Sequence, residues 1–306
     1  MPAIVAAIVA ATAAGVWAER RFGSRADAFS RRSLLLVLYL VLPPVTFFNL
    51  VGADLDLDAA QGIVLGMLSV TVLGIAAWFV AARVLRLPRA TVGAVISAVI
   101  VVNTGYLGYA VIAALVGFDQ LGEAVAYDIL VSGPALLIGA FAVGAIFGTR
   151  AGEGPRERTI AFFTRNPALL AALAAVLAPE ALAPEALVDL SRVVVIAILP
   201  LGFFAVGVAL AGSAEEGRFA FPPPLDRGVA TAVALRLAGG PLLLLALSAP
   251  LIELPDTYLL LAAMPCGLNT MMVAHAYGLD LRTAAGAIAW STALAVVGLS
   301  VVAAVE

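Results

Sequence analysis

The feature that leaves this chain fewest options is the regular return of apolar runs long enough to cross a bilayer. A hydrocarbon core of about 30 Å takes roughly 20 apolar residues as a helix. Runs bounded by charge, proline or glycine fall near residues 2 to 18, 33 to 52, 60 to 82, 90 to 116 and 123 to 148. Five more fall near 167 to 178, 187 to 211, 227 to 248, 256 to 277 and 283 to 304. Ten such helices leave only short connections in a chain of 306 residues, and no room for a sizeable extramembrane domain. With 63% hydrophobic and 12% charged residues, against about half and a quarter in soluble domains, a water-soluble globule is excluded. An all-α integral membrane protein is expected, with the lipid bilayer as its first partner. The sixth run, opening at Asn166-Pro167, is short for a crossing and is expected to borrow from residues 159 to 165 or to thin the membrane locally. Residues 2 to 18 lack the positive stretch that precedes a secretory signal's apolar run, so a retained first helix is expected.

Charge sets the orientation. All 17 basic residues are Arg, and Arg is held on the cytoplasmic side. The odd-numbered connections carry Arg20, Arg21, Arg25, Arg31, Arg32, Arg83, Arg86, Arg89, Arg150, Arg156, Arg158, Arg165, Arg218, Arg227 and Arg282, which is 15 of the 17. The even-numbered ones carry Asp54, Asp56, Asp58, Asp119, Glu123, Glu180, Glu185, Asp189, Glu253 and Asp256, with Arg192 against the pattern. Both termini are therefore expected outside, in the plasma (inner) membrane. The net charge of −3 offers no basic arm for nucleic acid. The single cysteine, Cys266, and the single histidine, His275, make neither a disulfide nor a set of metal ligands, so no cofactor or metal is expected.

Ten helices split five and five give halves of opposite orientation, residues 1–150 and 151–306. Traces of a duplication fall in matching helices and in the same order. Pro44-Val45-Thr46-Phe47-Phe48 in the second helix parallels Pro200-Leu201-Gly202-Phe203-Phe204 in the seventh. Gly117-Phe118-Asp119, closing the fourth, parallels Gly278-Leu279-Asp280, closing the ninth. The expectation is a 5+5 inverted repeat.

The fourth and ninth runs are broken by polar stretches at corresponding places. One is Val102-Asn103-Thr104-Gly105-Tyr106-Leu107-Gly108-Tyr109; the other is Met264-Pro265-Cys266-Gly267-Leu268-Asn269-Thr270. Pro265 has no amide hydrogen and glycine favours unwinding, so both stretches can leave the helix. Backbone freed in hydrocarbon is costly unless protein or water satisfies it, and two broken helices crossing in a polar cavity meet that need. The half-helix that follows each break turns its positive end toward the gap, which favours an anion. Asn103 and Asn269 can supply amide donors and Tyr106 a phenol.

These residues, with Leu42-Pro43 and Ala276-Tyr277-Gly278-Leu279-Asp280, make nearly the whole chain resemble the auxin efflux carrier family of secondary transporters, which belongs with the bile acid and sodium symporters. The resemblance implies crossed fourth and ninth helices at the substrate site, with Asn103, Thr104, Tyr106, Pro265 and Asn269 in it. It also implies an elevator-like movement of a transport domain (helices 3–5 and 8–10) against a scaffold (helices 1, 2, 6 and 7), export of small organic anions, and a homodimer. Ala110 stands where many members carry proline.

Three ionisable residues inside the apolar runs are candidates for coupling. Arg236 either snorkels to the cytoplasmic face or meets substrate or a counter-ion. Asp128, near the start of the fifth run, is an interfacial, solvated carboxylate or a coupling group. His275 is an ordinary polar neighbour or a proton carrier. Gly105, Gly267 and Thr270 flank the breaks, and Cys266 is placed to line the site. An intramembrane enzyme needs a nucleophile with a base, or paired carboxylates at one depth, and neither pattern is present. A sensor would need an output domain for which the loops are too short. The leading expectation is an organic anion carrier, with a sodium- or proton-coupled symporter as the alternative.

Overall fold

The computed structural model describes residues 2–51, 57–149, 160, 167–215 and 223–305. Among these the chain is helical and carries no strand beyond one isolated bridge. In chain order the helices are α1 (Pro2–Phe22), α2 (Ser24–Leu50), α3 (Leu57–Val84), α4 (Arg89–Ile100), α5 (Thr104–Leu115), α6 (Phe118–Phe147), α7 (Pro167–Leu177), α8 (Glu185–Glu215), α9 (Arg227–Ser248), α10 (Asp256–Ala262), α11 (Asn269–Tyr277) and α12 (Leu281–Val305). Six of them, α2, α3, α6, α8, α9 and α12, contain stretches long and apolar enough to cross a membrane. The chain is an integral membrane protein by this measure.

Local chemistry accounts for the irregularities. Wide π turns occupy Val37–Val41, Asp128–Ser132 and Leu235–Gly239, just ahead of Pro43, Pro134 and Pro241. A proline removes one hydrogen-bond donor and pushes away the carbonyl four residues earlier, so the turn opens. The start of α2 differs from expectation. Helix resumes at Ser24 instead of near residue 33, after a turn at Gly23, whose φ of 51° favours glycine. The Arg-rich connection is thus itself helical, supported by an ion pair between Arg31 and Asp27 one turn apart, at 2.6 Å. Of residues 159 to 165, from which α7 was expected to borrow, all but Ile160 lie outside the described residues. So do Asp54, Asp56, Arg150, Arg156, Arg158, Arg165 and Arg218.

Two packing groups position the site. In one, α1, α2, α7 and α8 lie together. The backbones of α1 and α8 touch, because a Cβ on Gly15 would overlap the Phe204 carbonyl and one on Gly207 would overlap the Thr12 carbonyl. Small residues permit this approach where water supplies no driving force. In the other group, α3, α6, α9 and α12 surround α4, α5, α10 and α11. The residues of α4 from Val92 to Ile100 are all buried. Its neighbours cover every side, so α4 serves as the axis of that group.

Candidate functional site

α4 stops at Ile100 and α5 starts at Thr104; α10 stops at Ala262 and α11 starts at Asn269. The two gaps lie side by side. Asn103 N–H donates to Pro265 O at 2.9 Å, and Gly267 N–H donates to Val101 O at 2.8 Å. This makes an antiparallel bridge centred on Val102 and Cys266. Each gap thereby satisfies backbone groups that the other has freed, which hydrocarbon could not do. Pro265 cannot donate and steers Met264 away from helix. Gly267 is required by contact, since a Cβ there would stand 2.8 Å from Val102 O.

Neighbouring helices fix each gap by a different chemistry. At the second, Cys266 N–H donates to Ser291 Oγ of α12 at 3.1 Å. At the first, the Asp128 carboxylate of α6 accepts from Thr104 Oγ1 and, at 2.8 Å, from Tyr109 Oη. Gly105 leaves room beside it, with a Cβ position 3.6 Å from Asp128 Oδ2. Asn103 caps α5, its Oδ1 accepting from Leu107 N–H at 3.4 Å. Its Nδ2 is buried without a hydrogen-bond partner among the described residues.

Arg236 ties the halves together. It is 1% exposed, with Nη1 donating to Val99 O at 2.8 Å and Nη2 donating to Ala262 O. Both carbonyls belong to the last turns of broken helices, α4 and α10, where the helix dipole is negative. One guanidinium therefore neutralises two like ends. Gly240 makes space for it, since a Cβ there would overlap Arg236 Nη2. The positive ends, at the starts of α5 and α11, have no such shared counter-charge. Asp128 attends α5, whereas the first turn of α11 carries an exposed Asn269 and a buried Thr270.

Several expectations are corrected by this arrangement. Arg236 does not snorkel: its head is inside, held by carbonyls that outcompete the distant surface. Asp128 is not a freely solvated carboxylate. It is half-buried, because the wide turn at Asp128–Ser132 presents it to α5. Cys266 does not line an open site; it is fully buried, since its backbone is the bridge. Asn103 and Asn269 were both expected as amide donors to the gap, yet one is buried and capping while the other is exposed. Tyr106 lies at the junction of the two packing groups, its ring 2.6 Å from where a Cβ on Gly202 of α8 would stand. His275 is exposed in the last turn of α11, about 9 Å along the helix from Asn269, and so lies away from the gaps.

Sequence reasoning missed Ser291, and placed Tyr109 in the first break without giving it a partner. A single hydroxyl in an apolar helix is an ordinary sight, and Tyr109 meets Asp128 only because the turn at Thr104–Gly108 is wide. A groove of about 450 Å³ lies between α3, α4 and α6, and is walled by Met67, Ile96, Ile100, Val131 and Phe147. Among the described residues no three His, Cys, Asp or Glu side chains gather in a metal-binding group. Compared with protein-family models and with curated proteins, the chain matches none.

Proposed function

We propose that this chain is a secondary transporter that moves a small organic anion, carboxylate-like, through the paired gaps. The observation that carries the reading is the bridge itself: two apolar helical runs unwind side by side and hydrogen-bond to one another. Broken backbone at membrane depth is tolerated where it is enclosed by protein or lines a cavity, and it commonly serves as a ligand site. The sign of the cargo follows from electrostatics. Arg236 cancels two negative helix ends, which leaves the positive ends at the starts of α5 and α11; Asp128 answers the first, beside Asn103, Thr104 and Gly105, and the second, beside Asn269 and Thr270, is left to attract an anion.

In this reading α4 with α5, and α10 with α11, are the fourth and ninth of ten crossings arranged as a 5+5 inverted repeat. Gly117 and Gly278, the matched glycines, support it. They close α5 and α11 in positive φ, at 123° and 68°. The resemblance to auxin efflux carriers fits the same plan. The group of α3 to α6 and α9 to α12 would slide as a unit against α1, α2, α7 and α8, in an elevator-like exchange of access. Tyr106 on Gly202 lies on the sliding surface. A homodimer through the α1, α2, α7 and α8 group, an inner-membrane location and external termini complete the proposal.

The test is transport by purified protein in liposomes, with radiolabelled benzoate and malonate. Saturable uptake is expected, reduced about tenfold or more in Asn269→Ala, as for loss of a hydrogen bond to a charged group. Flux that does not saturate, or that ignores this substitution, would overturn the assignment. Cation-coupled symport is the second reading, favoured by a carboxylate that the structure brings to a gap, Asp128.

A further inference from the structure

The start of α5 is a place where an anion is stabilised, and an anion of the protein already occupies it. Thr104 Oγ1 and Tyr109 Oη both donate to Asp128. Beside them the Asn103 Nδ2 group is buried and meets no acceptor among the described residues. It is a donor with nothing to donate to, in the turn where the proposed cargo binds, and desolvating such a group is costly unless a ligand satisfies it. Arg236 does not offset Asp128 by hydrogen bonding; its Nη1 and Nη2 are engaged by Val99 and Ala262.

The surroundings of Asp128 contain few other ionisable groups. From α5 come Tyr106 and Tyr109, both within electrostatic reach. The preceding residue on its own helix is Tyr127, whose ring stacks at 5.0 Å on Tyr258 of α10. α3, packed against the Asp128 turn, has no ionisable side chain between Asp58 and Arg83, and α7 has none at all.

We propose that Asp128 binds one proton each time the site binds one anion, so that the carrier is a proton–anion symporter. This rests on the transport reading given above. With Asp128 ionised, both hydroxyls donate to it and its charge repels an incoming anion. A proton from the aqueous phase forms an O–H bond on Oδ1, which cancels that charge and turns the group into a donor. Thr104 Oγ1 then accepts from Asp128, and its own hydrogen is released to point at the anion next to Asn103 Nδ2. When the anion leaves on the other side, the O–H bond breaks, the proton returns to water and Thr104 donates to the carboxylate again. One proton and one anion cross together, and a monoanion crosses without net charge.

The experiment uses the full chain in liposomes, with equal pH on both faces and radiolabelled benzoate and malonate as probes. Wild-type exchange is expected to be level at low pH and to fall about tenfold per pH unit above the titration point of the site. Asp128→Asn is expected to exchange at all pH values with no such fall. Tyr109→Phe removes one hydrogen bond to the ionised form and keeps the ring, so the fall is expected to move up by about one pH unit. Benzoate entry by the wild type is expected to carry protons inward, read by an internal pH dye. Saturable exchange with the same pH profile in wild type, Asp128→Asn and Tyr109→Phe would overturn the proton site and leave the carrier standing. So would dependence on sodium at fixed pH with no dependence on protons. Absence of saturable exchange of either probe at every pH would remove the carrier reading and this proposal with it.

Discussion

The two gaps share a backbone plan and differ in what holds them open. The second contains Pro265, whose ring fixes one torsion and whose missing N–H excludes a helical hydrogen bond. Little side-chain help is needed there: one hydroxyl, Ser291 Oγ, receives the Cys266 N–H, and Asn269 is left exposed. The first has no proline. Its backbone is kept out of the helix by side chains instead, Asn103 on Leu107 N–H and Asp128 on Thr104 and Tyr109. Covalent stiffness at one gap and a charged clamp at the other give similar backbones. Only the clamp can change with protonation, so the second gap is fixed and the first is adjustable.

The largest effect expected is one that ignores this difference. Arg236→Met removes donors from Val99 O and Ala262 O together, leaving a buried carbonyl in each half. Two hydrogen bonds to a charged group, at about 1.5 to 3 kcal/mol each, put the loss at about 3 to 6 kcal/mol. It is read as a fall in thermal stability of the detergent-solubilised protein. Arg236→Lys, whose ammonium lacks the planar fork, should recover less than half. Equal stability of Arg236→Met and wild type would mean that the gaps stand without a shared counter-charge.

The positions of the gaps were legible because their signals are local. Pro265, Gly105, Gly108 and Gly267 break an aliphatic pattern at identifiable places, and each acts on its own backbone. The apolar runs were legible for the same reason. The clamps were not, since they depend on rotation about helices. Asp128 reads as interfacial by counting from the start of its run, and becomes a partner of Thr104 only through the wide turn at Asp128–Ser132. Arg236 likewise reads as a snorkelling side chain until the turn at Leu235–Gly239 aims it inward. Periodicity of 3.6 residues does not foresee a π turn, and a shift of one residue rotates a side chain by about 100°. Charge in the odd-numbered connections gives an expected orientation but not that Arg25 and Arg31 lie within α2.

A smaller effect separates the gaps by steric room. Alanine at Gly267 would place its Cβ 2.8 Å from Val102 O, a backbone atom that cannot turn aside. Alanine at Gly105 would meet only Asp128 Oδ2, at 3.6 Å, an ordinary contact. Gly267→Ala is therefore expected to cost about 1 to 3 kcal/mol, as for other overpacked sites, and Gly105→Ala less than about 0.5 kcal/mol. Thermal unfolding of the two variants side by side checks the order. The reverse order would place the rigid gap at residues 101–103 and dismiss the contrast drawn from Pro265.

The smallest stability effect belongs to the asparagines and sharpens the contrast most, because the two occupy similar places after each gap. Asn103 accepts from Leu107 N–H as the cap of α5, and replacing a cap of this kind by alanine costs about 1 kcal/mol. Asn269 opens α11 with an exposed side chain, and an exposed substitution of this sort shifts stability by less than about 0.5 kcal/mol. Asn103→Ala should thus lower the melting temperature of the purified protein while Asn269→Ala leaves it nearly in place. If Asn269 contacts the cargo, its loss appears in saturable carboxylate uptake and not in melting. For Asn103 the two readouts fall together, since the same amide caps the helix through Oδ1 and offers Nδ2 to the gap. A pair of variants equal in both measurements would show the two asparagines in one role, and the division into a stiff gap and an adjustable one would fail.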